Sequence, residues 1–159
     1  FKIKKENNEI RGDIIVKSCN IKAIKASKEH YVNSTDEYPI LFVIAALING
    51  NSIFKGIDDL ANKESNRIKE MQKILKQIGV RSIYKKNKFT IYGKGMIDAT
   101  NKKIYVPNLG DHRICMSAFI LACLTGAKTV IRNFETVYTS SPSFLKIIKF
   151  LGANFAEQK

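Results

Sequence analysis

An internal duplication restricts the possible folds of this chain more than any other feature of its sequence. Residues 50–57, GNSIFKGI, resemble residues 126–134, GAKTVIRNF, with one insertion, and residues 74–79, ILKQIG, resemble residues 147–152, IIKFLG. The copies lie roughly 75 residues apart, a period long enough for one supersecondary unit in each copy. We therefore predict two similar folding units, at about residues 10–93 and 94–159.

Helix and strand signals alternate in both units. In the first unit we predict strands at residues 14–17, 52–55, 82–85 and 89–92 and helices at 36–48 and 63–78. In the second unit we predict strands at 104–106, 129–132 and 154–156 and helices at 111–124 and 141–151. Apolar side chains fall on one face of helix 63–78, and glycines 79, 126 and 152 end helices. The predicted fold class is α/β (α+β), with repeated βαβαββ-type units whose sheets cover buried helices.

Composition limits the class of protein. Hydrophobic residues make up 45% and charged residues 26% of the chain, the balance of a folded domain. The longest apolar run, residues 40–48, is too short to span a membrane, and residues 1–9 lack a signal-peptide core. Cys19, Cys115 and Cys123 show no metal-ligand spacing, and the last two fit a buried helix. We expect a cytoplasmic protein and, because the sequence begins at Phe1, a piece of a longer polypeptide.

The chain is strongly basic. It has 27 lysine and arginine residues against 14 aspartate and glutamate residues, a net charge of +13. Such an excess attracts anionic partners, nucleic acid above all, so a basic binding module without enzymatic activity is one alternative. The cations are spread along the whole chain, however, and a genome that favours lysine, asparagine and isoleucine codons explains the excess equally well. Nucleic acid is therefore not the expected partner.

Charged side chains stand at three predicted helix starts. Asp36 opens the first helix, where an aspartate ordinarily caps free backbone N–H groups. At the start of the second, Lys63 and Arg67 lie four residues apart and would share one face of the first turn. Cations are disfavoured at a helix N-terminus unless an anion binds there, so the pair predicts a carboxylate or phosphate site. Glu64 would lie beside that anion as an acid or base, and a solvated charged face is the alternative.

The third helix start contains Asp111, His112 and Arg113. Asp111 is a plausible cap, and Arg113 again places a cation at a helix N-terminus. His112 could carry a proton, although a single histidine is more often a structural hydrogen-bonding residue. Hydroxyl groups within residues 138–141 are predicted to cap the last helix. Several such cationic helix starts would attract small polyanions such as phosphate esters.

Taken together, these motifs resemble those of the enolpyruvyl-shikimate-phosphate synthases. Four elements occur in that family's order and spacing, and the match covers essentially the whole chain. The second and third elements are specific in combination, and the first and fourth resemble the branch often called class II. The elements are Asp36-Glu37-Tyr38-Pro39, Lys63-Glu64-Ser65-Asn66-Arg67, Asp111-His112-Arg113-Ile114-Cys115-Met116 and Thr139-Ser140-Ser141-Pro142-Ser143-Phe144.

The resemblance implies a reaction in which an enolpyruvyl group moves from phosphoenolpyruvate to shikimate 3-phosphate. Asp36 would take the proton from the attacking hydroxyl and also hold shikimate 3-phosphate. Glu64 would exchange a proton with the methylene carbon of phosphoenolpyruvate. The resemblance implies no metal and no organic cofactor. The remaining expected substrate-binding residues are Lys63, Arg67, His112 and Arg113, with the two arginines on the carboxylate and phosphate of phosphoenolpyruvate.

The same resemblance implies what this chain would lack. In the family the active site lies in a cleft between two domains, and this chain would supply one wall, as the C-terminal part of one domain. The fragment alone is expected to be inactive, because it needs the remainder of its own chain, and the enzyme is expected to be a monomer. Ala61, Asn62, Asn66 and Ser141 depart from the family's usual residues. The alternatives are an inactive or divergent member and an enolpyruvyl transferase that acts on a nucleotide sugar.

Overall fold

The computed structural model describes residues 2–7 and 9–156; the last three residues of the second predicted unit lie outside this part. The first two strands, β1 (Lys2–Glu6) and β2 (Glu9–Asp13), form an antiparallel hairpin. Residues 14–24 have no regular structure, so the predicted strand at 14–17 is wrong. Ile14, Ile15 and Val16 are all exposed. An apolar run becomes a strand only when another strand pairs with it.

A four-stranded sheet follows, with the order β3-β4-β6-β5. Its strands are β3 (Lys25–Ala26), β4 (Asn49–Lys55), β5 (Arg81–Lys85) and β6 (Lys88–Lys94). The pair β3 and β4 is parallel, and the other two pairs are antiparallel. Lys86 and Asn87 both adopt positive φ angles, near 50°, which matches the twist of a two-residue hairpin turn. The predicted strands at 52–55, 82–85 and 89–92 and their hairpin are confirmed.

Helices connect these strands and carry the core. They are α1 (Lys28–Ser34), α2 (Tyr38–Ala46) and α3 (Arg67–Gln77), with 3₁₀ turns at Thr35–Glu37 and Asp58–Asn62. Almost every side chain of α2 is apolar, and the helix is buried between the sheet and a helix of the second unit. Phe42 lies at its centre, edge-to-face with Phe54 and Phe89 at ring distances of 4.9 and 4.8 Å. This is the buried helix that the sequence predicted.

The second unit contains a parallel strand pair joined by a helix, like the β3–α2–β4 part of the first. The pair is β7 (Lys103–Val106) and β8 (Lys128–Ile131), and α4 (His112–Thr125) connects them. Gly126, with φ of 73°, ends α4 in the left-handed conformation, as its position predicts. Apolar side chains of both units form one continuous core. None of the helices in the described residues is long and apolar enough to cross a membrane.

The C-terminal region differs from its prediction. A short helix that was not predicted, α5 (Thr136–Ser140), precedes α6 (Phe144–Phe150), which corresponds to the predicted helix at 141–151 but begins later. Pro142 lies between them, and proline disfavours helical backbone at the residue before it. The predicted strand at 154–156 is also wrong, because these residues have no regular structure. The hydroxyl groups at 138–141 cap nothing, since the N-cap of α6 is Ser143, without a side-chain capping bond.

Two helix boundaries determine where the charged side chains lie. Helix α3 begins at Arg67, so the predicted start at Lys63 is wrong. Asn66 is its N-cap, and its side chain accepts a 3.0 Å hydrogen bond from the Lys69 amide. Asparagine is as good a cap as aspartate, so this departure from the family's usual residue preserves the helix start. Lys63 and Glu64 precede the cap, in an irregular segment.

Candidate active site

The guanidinium of Arg67 is the centre of a cluster of carboxylates. The side chain is only 1% exposed, although it carries a full charge. Its Nε donates to Asp111 Oδ2 at 3.0 Å, its Nη1 to Asp36 Oδ1 at 3.1 Å and its Nη2 to Glu64 Oε2 at 2.6 Å. Three acidic side chains from separate segments of the chain therefore meet on one planar cation.

Asp111 holds the buried side of this cluster. Its side chain is 0% exposed and accepts hydrogen bonds from the backbone N–H groups of Arg113, at 3.0 Å, and Ile114, at 3.3 Å. It thus caps α4, as the sequence predicted. Its second oxygen accepts from Ser65 Oγ at 2.8 Å and from Arg67. A buried ion pair is tolerable only when its remaining hydrogen-bonding capacity is satisfied, and here it is.

This pairing stabilises the charged forms of both groups. Burial alone would raise the pKa of Asp111, but hydrogen bonds from Arg67 and Ser65 and the charge of Arg67 lower it overall. Burial would likewise lower the pKa of Arg67, but Asp111, Asp36 and Glu64 raise it overall. Arg67 and Asp111 are therefore a permanent ion pair at neutral pH.

A second arginine contacts Asp36 from the start of α4. Arg113 Nη2 lies 3.3 Å from Asp36 Oδ2, and its Nη1 donates to the Asp36 carbonyl oxygen at 3.0 Å. The same Nη1 lies 3.3 Å from Glu37 Oε1. Each oxygen of the Asp36 carboxylate thus faces a different arginine, and it contacts these cations instead of capping a helix. This orients the carboxylate while leaving 55% of the side chain exposed.

Lys63 is oriented by a separate chain of contacts. Its Nζ lies 2.8 Å from Asp59 Oδ2, and the same oxygen accepts a 3.0 Å hydrogen bond from the Tyr31 hydroxyl. Burial and the neighbouring carboxylate raise the pKa of Tyr31 to about 12, so it stays a donor across the physiological range. The hydrogen bonds from Lys63 and Tyr31 lower the pKa of Asp59. Lys63 therefore does not share a helix face with Arg67, and that part of the sequence prediction is wrong.

The structure brings together four of the six predicted site residues in direct contact: Asp36, Glu64, Arg67 and Arg113. Lys63 is adjacent to Glu64 in the chain but bonds to Asp59. His112 is the first residue of α4, next to Arg113, and is partly buried. The central position of Asp111 was missed, because the sequence assigned it only a capping role. Within residues 2–7 and 9–156, no group of three or more histidine, cysteine, aspartate or glutamate side chains is arranged so that it could hold a metal ion.

The site has a buried side, formed by the ion pair of Arg67 and Asp111, and an exposed edge, formed by the carboxylates of Asp36 and Glu64. Glu64 is 48% exposed, and in the described structure only its Oε2 contacts Arg67. The Asp36 side chain is exposed to a similar degree. Two cationic groups, those of Lys63 and Arg113, border these carboxylates and remain partly exposed. Such an edge can exchange protons with a bound molecule and hold its anionic groups at the same time.

Comparison with known structures defines the class of this fold. The structure of EPSP synthase from Acinetobacter baumannii aligns with a TM-score of 0.70 and 29% identity, over 85% of this chain and 31% of that one. The enolpyruvyl transferase NikO from Streptomyces tendae aligns with a TM-score of 0.59 over 84% of this chain and 28% of that one, with an identity of 14% that shows the fold alone. The chain has the mixed α/β fold of the enolpyruvyl transferases, as the sequence predicted.

Sequence comparison defines the family within that class. The family model for EPSP synthase (3-phosphoshikimate 1-carboxyvinyltransferase) matches residues 2–148, and the chain belongs to this family. The 3-phosphoshikimate 1-carboxyvinyltransferase of Clostridium tetani is 36% identical over 143 residues, 90% of this chain and 32% of the relative. That of Caulobacter vibrioides is 32% identical over 146 residues, 92% of this chain and 32% of the relative. The resemblance seen in the motifs is thus confirmed, and this chain spans 32% of each of these relatives.

Proposed function

We propose that this chain is the C-terminal part of an enzyme that transfers the enolpyruvyl group of phosphoenolpyruvate to the 5-hydroxyl of shikimate 3-phosphate, with release of phosphate. One observation carries the proposal: Asp36 and Glu64, the two carboxylates expected to move protons, are both oriented by Arg67. The reaction needs two proton transfers at neighbouring atoms, one at an oxygen and one at a carbon. Two half-exposed carboxylates on one rigid cation suit that need.

In this proposal Asp36 is the base for the attacking hydroxyl. Its carboxylate is held between Arg67 and Arg113, so its orientation is fixed before substrate arrives. As the hydroxyl oxygen bonds to the central carbon of phosphoenolpyruvate, its proton passes to Asp36. Both the carboxylate and the arginines are in place without rearrangement, which keeps the cost of reaching the reactive geometry low.

Glu64 transfers the second proton. In its protonated form it gives a proton to the methylene carbon of phosphoenolpyruvate, which becomes a methyl group in the tetrahedral adduct. The carboxylate then removes a proton from that methyl group as the carbon–oxygen bond to phosphate breaks, which restores the double bond. The proton held by Asp36 leaves with the released phosphate, so both carboxyl groups return to their starting forms. Only one of its oxygens contacts Arg67 in the described structure, which leaves Oε1 for the substrate.

The bordering cations bind the substrates. Arg113 and Lys63 are partly exposed beside the two carboxylates, with His112 next to Arg113 in the chain, and they would contact the phosphate and carboxylate groups. Arg67 remains a proposed ligand of phosphoenolpyruvate as well. Because Nε, Nη1 and Nη2 already donate to carboxylates, its larger contribution is to position Asp36 and Glu64.

The proposal also requires the rest of the polypeptide, which would form the other wall of the substrate-binding cleft. Shikimate 3-phosphate and phosphoenolpyruvate would bind between this chain and the remainder of the same polypeptide, in a cytoplasmic, monomeric enzyme without a cofactor. Residues 10–93 and 94–159 would be two repeat units of one domain. Support comes from the exposed face of the carboxylate cluster and from the 32% of its relatives that the chain spans. We expect the chain alone to be inactive.

Substitution of Glu64 by glutamine in the intact protein tests the assignment. Glutamine keeps the shape and can still accept from Arg67, but it cannot transfer a proton. We expect kcat to fall about 10²- to 10⁴-fold with both substrate affinities nearly preserved. Glu135→Gln is the matched control, since Glu135 is an exposed carboxylate at the start of α5, and its kcat should not change. A Glu64→Gln enzyme with a near-normal rate contradicts the proposal.

A further inference from the structure

A basic groove runs along the outer face of α3, on the side of the helix opposite the buried Arg67. It is a cavity of about 530 Å³, which is within the size range of small-molecule sites. Three exposed lysines of α3 line it, namely Lys69, Lys73 and Lys76, and Arg81 lines it from the start of β5. No step of the proposed reaction uses this groove.

A fifth cation lies beside the groove, at the end of β6. Gly79, which ends α3, lines the groove, and a Cβ placed on it would lie 3.9 Å from the ammonium nitrogen of Lys94. Four positive side chains from one helix and one strand therefore line a single cavity, and the ammonium group of Lys94 lies beside it, next to Gly79. The sequence could not reveal this clustering of charge, because the five cations are spread over 26 positions and only the turn at Gly79 brings them together.

Few negative charges oppose these cations. Glu70 Oε1 lies 2.7 Å from Lys73 Nζ, and the Glu70 side chain is largely buried. Within the described part of the chain, no carboxylate forms an ion pair with Lys69, Lys76 or Lys94. The four lining cations and the neighbouring Lys94, counted against the one carboxylate of Glu70 that pairs with Lys73, give this region a net charge of about +4. An anion bound in it would meet cations on several sides.

The placement of these lysines is unfavourable for the helix itself. Lys76 lies in the last turn, where the helix dipole favours a cation. Lys69 lies in the first turn, where the dipole disfavours one, and it lies four residues before Lys73, so the two ammonium groups repel each other. A bound polyanion would offset both effects. The opposite arrangement, with glutamate in the first turn of this face, would have cost the fold nothing.

A second cavity adjoins the first and has a different character. Its volume is about 510 Å³, and it shares Lys73 and Lys76 with the basic groove. Ile74 and Tyr105 line its other side, and the Tyr105 side chain is half-exposed. The organic part of a phosphorylated molecule could rest here while its phosphates occupy the basic groove.

We propose that the groove binds a compact polyphosphate, that is, two or more adjacent phosphate groups in one small molecule. A single carboxylate or phosphate would need only one or two cations, whereas a di- or triphosphate chain matches four cations that line one cavity and a fifth beside it. Duplex nucleic acid spreads its charge along a rod, with one phosphate per roughly 1.7 Å of axis, and is bound by cations along a stripe. The clustering around a cavity of small-molecule size favours the compact ligand.

Titration of the intact protein with inorganic tripolyphosphate tests the proposal. The groove variant combines Lys69→Gln, Lys76→Gln and Lys94→Gln, chosen because these substitutions break no ion pair in the described structure. We expect the variant to bind tripolyphosphate about 10- to 100-fold more weakly in calorimetry, since it lacks three exposed charge contacts. Unchanged thermal unfolding of the variant will show that its fold is intact.

A matched variant separates the groove from the general charge of the protein. Lys55→Gln, Lys128→Gln and Lys146→Gln remove the same charge from exposed positions outside the groove, and affinity should change by no more than about twofold. Equal weakening in both variants, or no tripolyphosphate binding by the parent protein, overturns the proposal. So does a duplex DNA fragment that displaces tripolyphosphate at an equal concentration of phosphate.

A nucleotide distinguishes the two sources of such phosphates. If ATP binds more tightly than tripolyphosphate and Tyr105→Ala removes the difference, the ligand is a nucleoside polyphosphate whose organic part occupies the second cavity. If ATP and tripolyphosphate bind equally, the groove recognises the phosphate chain alone. Either result supports polyphosphate binding, and neither depends on the transferase reaction.

Discussion

Asp111→Asn is expected to be the most damaging single-atom change in the candidate site. Asparagine has nearly the same shape and is an equally good N-cap, so the bonds from the Arg113 and Ile114 amides can remain. The lost interaction is the one with Arg67. The new amide would present N–H groups or a neutral oxygen to the guanidinium in place of a carboxylate at 3.0 Å.

The structure sets the size of this effect. Removing one partner of a buried ion pair typically costs about 3–5 kcal/mol, because the other charge stays buried. Arg67 keeps Asp36 and Glu64 after the change, so we expect the lower end, about 3 kcal/mol. Asp36→Asn is the control, since it removes a contact to the same guanidinium from a carboxylate that is half-exposed. An exposed pair contributes about 1 kcal/mol or less.

Urea unfolding of the intact protein will measure both losses, with circular dichroism as the probe. At pH 7 the midpoint of Asp111→Asn should fall by several times more than that of Asp36→Asn, with the slope unchanged. Equal losses for both variants would falsify the assignment of Asp111 as the buried anchor of the cluster. Loss of slope in one variant would mean that its native state has changed, and the comparison would then be repeated with Asp111→Ser.

Acid provides an independent check with a definite sign. The folded pKa of Asp111 is lower than its ordinary value, so it contributes stability above the unfolded pKa of about 3.9. That contribution disappears as the pH falls through the lowered folded pKa. The difference in stability between the parent protein and Asp111→Asn should therefore be constant near pH 7 and shrink below about pH 4. A difference that grows in acid contradicts the pairing.

Two further predictions concern other described contacts. Tyr31→Phe should destabilise the protein by about 1 kcal/mol in urea, because the half-exposed Asp59 keeps its ion pair with Lys63 and regains contact with water. The same substitution should raise the Michaelis constant of the substrate that Lys63 is proposed to bind more than it lowers kcat. Iodoacetamide at pH 8 should modify Cys19 in the native protein and leave Cys115 unmodified. Cys19 is exposed, whereas burial raises the pKa of the Cys115 thiol to about 11. If mass mapping finds both cysteines modified at similar rates, the buried position of Cys115 is contradicted.

Local sequence signals predicted the elements whose ends are fixed by local chemistry. Gly79 and Gly126 end helices with positive φ, and Lys86-Asn87 turns the hairpin, so these boundaries agree with the structure. The strand predicted at 14–17 was wrong because its residues have no partner in the described structure, and pairing is a long-range property. The helix predicted at 141–151 begins later, at Phe144, because Pro142 disfavours helical backbone at Ser141.

The site was predicted in its residue types but not in its connections. Cations at helix starts drew attention to Arg67 and Arg113, and both contact Asp36. The most deeply buried partner of Arg67 is Asp111, which lies 44 positions away in the sequence. Its signal was a capping residue, which is common and carries no information about a distant arginine. Periodicity describes neighbours on one element, so it cannot reveal which elements meet.

The sharing of Arg67 by Asp36, Glu64 and Asp111 has a consequence for how this protein can change over evolutionary time. A substitution at any one carboxylate alters the charge that the guanidinium presents to the other two, so the effects of replacing Asp36 and Glu64 will be epistatic and not additive. Replacing Arg67 with a residue that pairs less well would leave the charge of the buried Asp111 carboxylate without compensation. If the proposed function holds, substitutions that tune substrate binding will therefore occur mainly at Lys63 and Arg113, whose side chains are not part of the core.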